Sequence, residues 1–126
     1  MQLSIIIPTR DRPQLLPRAV QSALSQTMTD LEVIVVDDAS TQPVDLPADP
    51  RLRVIRLSTP RGGAGARNVG TEAARGRWIA YLDDDDCLLP QMADVSLEAI
   101  ALATLPPPIA VISGIDVVDD GGKTLE

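Results

Sequence analysis

Short apolar runs that stop abruptly against polar or acidic residues constrain this chain more than any other feature. Leu3-Ser4-Ile5-Ile6-Ile7 is rich in β-branched residues, apolar on both faces, and halted by Pro8 and Thr9. Leu31 to Val36 repeats the pattern and ends in Asp37-Asp38, and Trp78 to Leu82 runs into Asp83-Asp84-Asp85-Asp86. Runs this short, with little polar alternation, suit strands buried from both sides in a parallel sheet covered by helices.

The intervening segments supply those helices. Pro13 stands where a helix can begin, and Leu15, Leu16, Ala19, Val20, Ala23 and Leu24 follow as an amphipathic stripe. Pro17 is tolerable there only within the first turn. Pro43, Pro47 and Pro50 make the next stretch a loop or a poorly formed helix, and Arg53 to Leu57 reads as a third strand near an edge. Arg61 to Gly65 is expected to be a flexible turn, followed by a helix from Ala66 to Ala74 closed by Gly76. A further helix is predicted from Pro90 to about Leu105, stopped by Pro106-Pro107-Pro108. A fifth strand is expected over Ile109 to Ser113, restarting as Ile115 to Val118, with a turn at Asp119-Asp120-Gly121-Gly122. The order βαβ(loop)βαβαβ predicts one α/β domain over residues 1–126, with a mainly parallel sheet between helices.

Composition removes several kinds of chemistry. The chain of 126 residues has one cysteine, Cys87, and no histidine, which excludes an internal disulfide framework and Ser-His-Asp or Cys-His catalysis. A zinc site built from Cys and His is nearly excluded as well. Eighteen acidic against eleven basic residues give a net charge of -7, which argues against nucleic acid or an anionic membrane as the main partner. The first apolar run is too short for a signal-peptide core, and no run is long enough for a transmembrane segment, so the expected location is cytoplasmic. Membrane association through regions outside this sequence stays open. Chemistry, if present, rests on carboxylates.

In open parallel sheets, ligands bind outside the carboxyl ends of the strands. The acidic residues fall at those ends. In an extended segment Asp83 and Asp85 point the same way, about 6–7 Å apart. At an effective dielectric near 20 they repel by roughly 3 kcal/mol. A divalent cation would reverse that sign, and hard oxygen donors suit Mn²⁺ or Mg²⁺. A solvated acidic turn at the start of the next helix is the other reading. Asp37-Asp38 can accept from a ribose hydroxyl or a base N–H, or can cap the following turn with Ser40 and Thr41. Arg61-Gly-Gly-Ala-Gly-Ala-Arg67-Asn68 could receive phosphate at a helix start, or could simply pack a Gly/Ala helix closely on the sheet.

Four segments, taken in order, closely resemble the N-terminal half of a family 2 glycosyltransferase with the GT-A fold. Ser4 to Arg12 resembles the family's opening strand, which usually ends Pro-Thr-Tyr-Asn-Arg, and Val35 to Ser40 resembles Val-Asp-Asp-Gly-Ser. Gly63 to Gly70 is similar to Gly-x-x-x-Ala-Arg-Asn-x-Gly, and Leu82 to Asp86 to Leu-Asp-x-Asp-Asp with its Asp-x-Asp motif. Arg10 and Asp11 replace the usual Tyr and Asn, and Ala39 replaces Gly.

The resemblance implies a Rossmann-like three-layer α/β/α fold, incomplete on its C-terminal side. It implies that Pro8, Thr9, Asp11, Asp37, Asp38, Arg67, Asp83 and Asp84 border a nucleotide-diphosphate sugar, a UDP-sugar foremost. Asp85, Asp83 and Asp86 would hold Mn²⁺ or Mg²⁺. Transfer would invert the anomeric centre, toward an unidentified glycan, lipid or small-molecule acceptor, with the general base beyond Glu126. A piece of this kind is expected to bind donor and to be catalytically incomplete, and self-association through a free edge or an apolar face is one expectation. The competing readings are a sugar nucleotidyltransferase, a non-catalytic nucleotide-binding module and a phospho-acceptor receiver domain. The first wants glycines in the loop after strand one, which Arg10-Asp11-Arg12-Pro13 lacks, and the last a lysine after strand five, where the only lysine, Lys123, lies in a Gly-rich tail.

Overall fold

The computed structural model describes residues 1–125, with Glu126 outside the described residues. It divides into two units, residues 1–93 and 94–126.

The first unit carries a four-stranded parallel sheet in the order β3-β2-β1-β4, with β1 at Leu3–Thr9, β2 at Leu31–Asp37, β3 at Leu52–Arg56 and β4 at Trp78–Tyr81. Ile5 pairs with Val33 on one side and Ala80 on the other, so β1 is central. β3 stands at an edge, as its mixed pattern predicts. Strand β1 continues past its expected stop at Ile7. Pro8 is admitted because its absent N–H faces β4, whose ladder to β1 ends at the pair Ile6 and Tyr81. Thr9 then accepts the Asp38 N–H at 2.9 Å on the β2 side.

Alternation along the strands sorts the core into two layers. Leu3, Ile5, Ile7, Val33 and Val35 are buried with Leu16, Ala19, Val20 and Ala23 of α1 (Leu16–Leu24). Ile6, Ile34 and Val36 point to the opposite face and meet Ala66 of α2 (Gly62–Ala73). The three-layer α/β/α arrangement is therefore present. Pro17 falls in the first turn of α1, where its missing N–H costs nothing. Gly70 lets α2 close on the sheet: a Cβ there would lie 2.4 Å from Ile6 Cγ2.

Two expectations are corrected here. The glycine-rich segment is not a flexible turn, because α2 begins at Gly62 rather than Ala66. The Asp38 carboxylate accepts the Arg61 and Gly62 N–H groups at 2.7 and 2.9 Å, satisfying donors that a helix start leaves open. Gly62, at φ +77°, permits the turn that brings them there. The second correction concerns residues 94–126. The last helix, α3, runs Met92–Leu102 and ends before Leu105. Residues 109–113 form no strand and make no strand pairing among the described residues, and Ile112 is 94% exposed. The only pairing outside the sheet among the described residues is an antiparallel bridge between Val118 and Thr124. It encloses the expected turn, in which the Asp119 carboxylate accepts the Gly121 and Lys123 N–H groups.

Candidate functional site

The carboxyl ends of β1, β2 and β4 lie along one rim of the sheet. The chain passes from β1 to β2 on one side, whereas β4 lies on the other, so the strand order reverses between β1 and β4. That is where open α/β sheets form a ligand crevice. The four-aspartate run leaves β4 there as a turn, closed by the Asp86 N–H donating to the Asp83 carbonyl at 3.1 Å.

Within that run the four carboxylates are not equivalent. Asp84 points inward, where the Thr9 hydroxyl donates to it at 2.8 Å and Arg12 Nη1 at 3.1 Å. Asp83, Asp85 and Asp86 are exposed, and each offers one oxygen within 4.8 Å of the others. Loss of solvent around Asp86, followed by the charges of Asp85, Asp83 and Asp84, holds its carboxyl above the usual range. Three hard oxygen donors converging under mutual repulsion fit a Mg²⁺- or Mn²⁺-sized cation with open positions. The turn is also held from behind. The Ser22 hydroxyl accepts the Leu88 N–H at 3.0 Å, and Gln26, buried, donates to the Leu89 carbonyl and accepts the Ala93 N–H.

The end of β2 is more self-contained. Asp37 is fully buried, with one oxygen accepting the Ser40 N–H at 3.0 Å and the other Arg56 Nη1 at 3.1 Å. Asp38 is buried against the start of α2 as described. The N–H groups of Arg61 and Gly62 are thereby committed to a carboxylate of the chain, and Gly65 serves close packing: a Cβ there would lie 2.6 Å from Arg61 Cβ. Asp11 and Ala39, the two residues that depart from the family's Asn and Gly, are also the two non-glycine residues with positive φ among the described residues, at 52° and 58°. Asp11 is tied to the two residues that follow Ala39: its N–H donates to Ser40 Oγ at 2.9 Å, and its Oδ1 accepts the Thr41 N–H at 2.7 Å.

Arg67, on α2, donates to Asp83 at 2.8 Å, so the third and fourth motifs meet. The structure thus gathers Thr9, Arg67, Asp83, Asp84, Asp85 and Asp86 at the β1/β4 crevice and Asp11, Asp37 and Asp38 at the β2 end. Pro8 lies between them in β1, and its side chain offers no polar group. Sequence reasoning missed Arg12, Gln26 and Arg56 as members of this framework. Arg12 stood beside a strand end, the one signal that could have marked it; nothing local ties Gln26 to a loop 63 residues away.

The sequence profile described as Glycosyl transferase family 2 matches residues 4–124. The chain belongs to this family. Over 127 residues it is 38% identical to the succinoglycan biosynthesis protein ExoO of Rhizobium meliloti (strain 1021), covering 98% of this chain and 36% of that protein. It is 40% identical over 88 residues to the UDP-Glc:alpha-D-GlcNAc-diphosphoundecaprenol beta-1,3-glucosyltransferase WfaP of Escherichia coli, covering 67% of this chain and 35% of WfaP. The crystal structure of S. aureus TarS 1-349 in complex with UDP-GlcNAc resembles it with a TM-score of 0.69 at 27% identity, over 80% of this chain and 31% of that one. The fold of this family 2 chain is accordingly the GT-A arrangement. It spans roughly a third of the length of these curated relatives. No described helix is long and apolar enough to cross a membrane.

Proposed function

We propose that this family 2 chain is the donor-binding part of a glycosyltransferase that takes a nucleotide-diphosphate sugar, a UDP-sugar foremost, and transfers the sugar with inversion. The observation that carries the reading is the gathering of Asp83, Asp85 and Asp86 at the crevice where strand order reverses. The names of the relatives support the donor class: WfaP is a UDP-Glc enzyme, and TarS has been crystallised with UDP-GlcNAc.

Asp83, Asp85 and Asp86 would hold Mn²⁺ or Mg²⁺. Such an ion supplies Lewis-acid stabilisation of the charge that develops on a departing nucleoside diphosphate. The chain's own groups do the rest. Asp84, held by Thr9 and Arg12, fixes the turn that presents the three outer carboxylates. Asp38 and Asp11 shape the β2 side of the crevice, where the nucleoside is expected, and Arg67 borders the diphosphate. No residue of this chain is assigned as the general base that acts on the acceptor. The acceptor is a glycan, lipid or small molecule, and the reaction is placed in the cytoplasm.

Calorimetric titration of UDP in the presence of Mn²⁺, repeated with chelator, tests the reading. Metal-dependent binding that is lost in Asp85→Ala is expected. No metal-dependent heat, or an undiminished response in Asp85→Ala, would overturn it.

A further inference from the structure

Two of the three outward carboxylates are already held by cations of the chain itself. Arg12, from the β1–α1 loop, sets a single nitrogen, Nη1, 3.1 Å from Asp84 Oδ1 and 3.2 Å from Asp85 Oδ2. Arg67, from α2, sets Nη2 2.8 Å from Asp83 Oδ1. Asp86 has no guanidinium partner among the described residues. Four carboxylates against two guanidiniums leave two negative charges in the turn, the charge of one divalent ion.

We propose that Arg12 and Arg67 are internal counter-cations, which compete with the divalent ion for Asp85 and Asp83 and pass to the diphosphate when donor binds. The inference rests on the donor-site reading above and adds the order of charge exchange within it. A divalent ion entering while both guanidiniums stay in place would set three cations around the same oxygens. The pairs are built to yield: Arg12 and Asp85 are 48% and 49% exposed, Arg67 and Asp83 38% and 54%, and ion pairs that open to solvent are weak. Arg12 has a second hold on buried Asp84, so it can release Asp85 without leaving the crevice. A freed guanidinium presents the planar fork that suits phosphate oxygens. Because the diphosphate draws the arginines away from the carboxylates, each ligand must favour the other by the same factor.

Mn²⁺ binding to the chain, followed by the electron paramagnetic resonance of the free ion with and without UDP, tests this in the wild type, Arg12→Gln and Arg67→Gln. Removing either guanidinium should tighten binding of Mn²⁺ alone by about threefold or more, the order expected from an exposed charge pair. The factor by which UDP tightens Mn²⁺ should shrink in both variants. Arg67→Gln breaks only an exposed pair and therefore decides the matter even if Arg12→Gln fails to fold. Mn²⁺ binding that is unchanged or weaker in Arg67→Gln, while the wild type binds Mn²⁺ with UDP, overturns the hand-over and leaves the donor site standing. Absence of Mn²⁺ binding in every protein, with or without UDP, overturns the donor-site reading and the hand-over with it.

Discussion

The Thr9 hydroxyl donates to the Asp84 carboxylate at 2.8 Å, tying the end of β1 to the end of β4 across 75 residues of sequence. Both side chains are buried, and Arg12 is the other partner of Asp84. This contact turns one aspartate of the run inward, and the turn then carries its three neighbours outward.

Thr9→Val keeps the shape of that side chain and removes its hydroxyl. A hydrogen bond to a buried charged group contributes about 1.5–3 kcal/mol, and Arg12 still neutralises Asp84, so a loss of roughly 2 kcal/mol is expected. Urea unfolding monitored through the single tryptophan, Trp78, measures it. A variant as stable as the wild type would show that Asp84 does not depend on Thr9.

The architecture was legible because apolar runs without alternation have few places to go except the middle of a sheet covered on both faces. Leu3–Ile7 and Leu31–Val36 carried that message, and the aspartates behind them marked the rim. What stayed hidden depended on partners far away in sequence. Nothing in Asp83-Asp84-Asp85-Asp86 shows which member turns inward, since Thr9 and Arg12 decide it. The start of α2 at Gly62 depends on Asp38, 23 residues upstream of Arg61. Composition likewise marked Ile109–Ser113 as strand-forming, but β-propensity expresses itself only where a neighbouring strand offers a ladder. None does so here among the described residues.

Ala39 sits at φ +58°, a conformation that costs a non-glycine residue roughly 1–2 kcal/mol. Ala39→Gly removes that strain and adds flexibility to the unfolded chain, which returns about 0.4–1 kcal/mol. A net gain of up to about 1.5 kcal/mol is expected, seen as a rise of a few degrees in Tm for a domain of this size. A lower Tm would show that Ala39 is not strained.

Gly70→Ala tests the opposite face of the sheet. The added Cβ would stand 2.4 Å from Ile6 Cγ2 and 3.2 Å from Val36 Cγ2, both in the fully buried layer beneath α2. Overpacking of that kind typically costs 1–3 kcal/mol. Because α2 carries Arg67, its displacement should also weaken Mn²⁺-dependent UDP binding. Chemical denaturation and the calorimetric titration report the two effects separately, and a variant of unchanged stability would mean that α2 has room to move.

At the end of the sheet away from the rim, Glu32 forms a buried junction of β1, β2, β3 and the segment after α2. Its carboxylate accepts the Ser4 hydroxyl at 2.7 Å, the Arg75 N–H at 2.7 Å and Arg53 Nη2 at 2.9 Å, while Arg53 also reaches the Ala73 carbonyl. Burial pushes the carboxyl upward, but the hydrogen bonds from Ser4, Arg75 and Arg53 outweigh it and hold it below the usual range. A carboxyl depressed in the folded state binds fewer protons there than in the unfolded chain. Its contribution is therefore complete above the unfolded value, near 4.5, and is lost as pH falls through the lower folded value. Glu32→Gln removes the charge that accepts three hydrogen bonds, while Arg53 stays partly solvated and bonded to the Ala73 carbonyl, so a loss of roughly 2 kcal/mol at pH 7 is expected. Stability measured from pH 7 down to pH 3 should fall less steeply in Glu32→Gln than in the wild type. Parallel pH profiles would show that Glu32 titrates alike in the folded and unfolded chains.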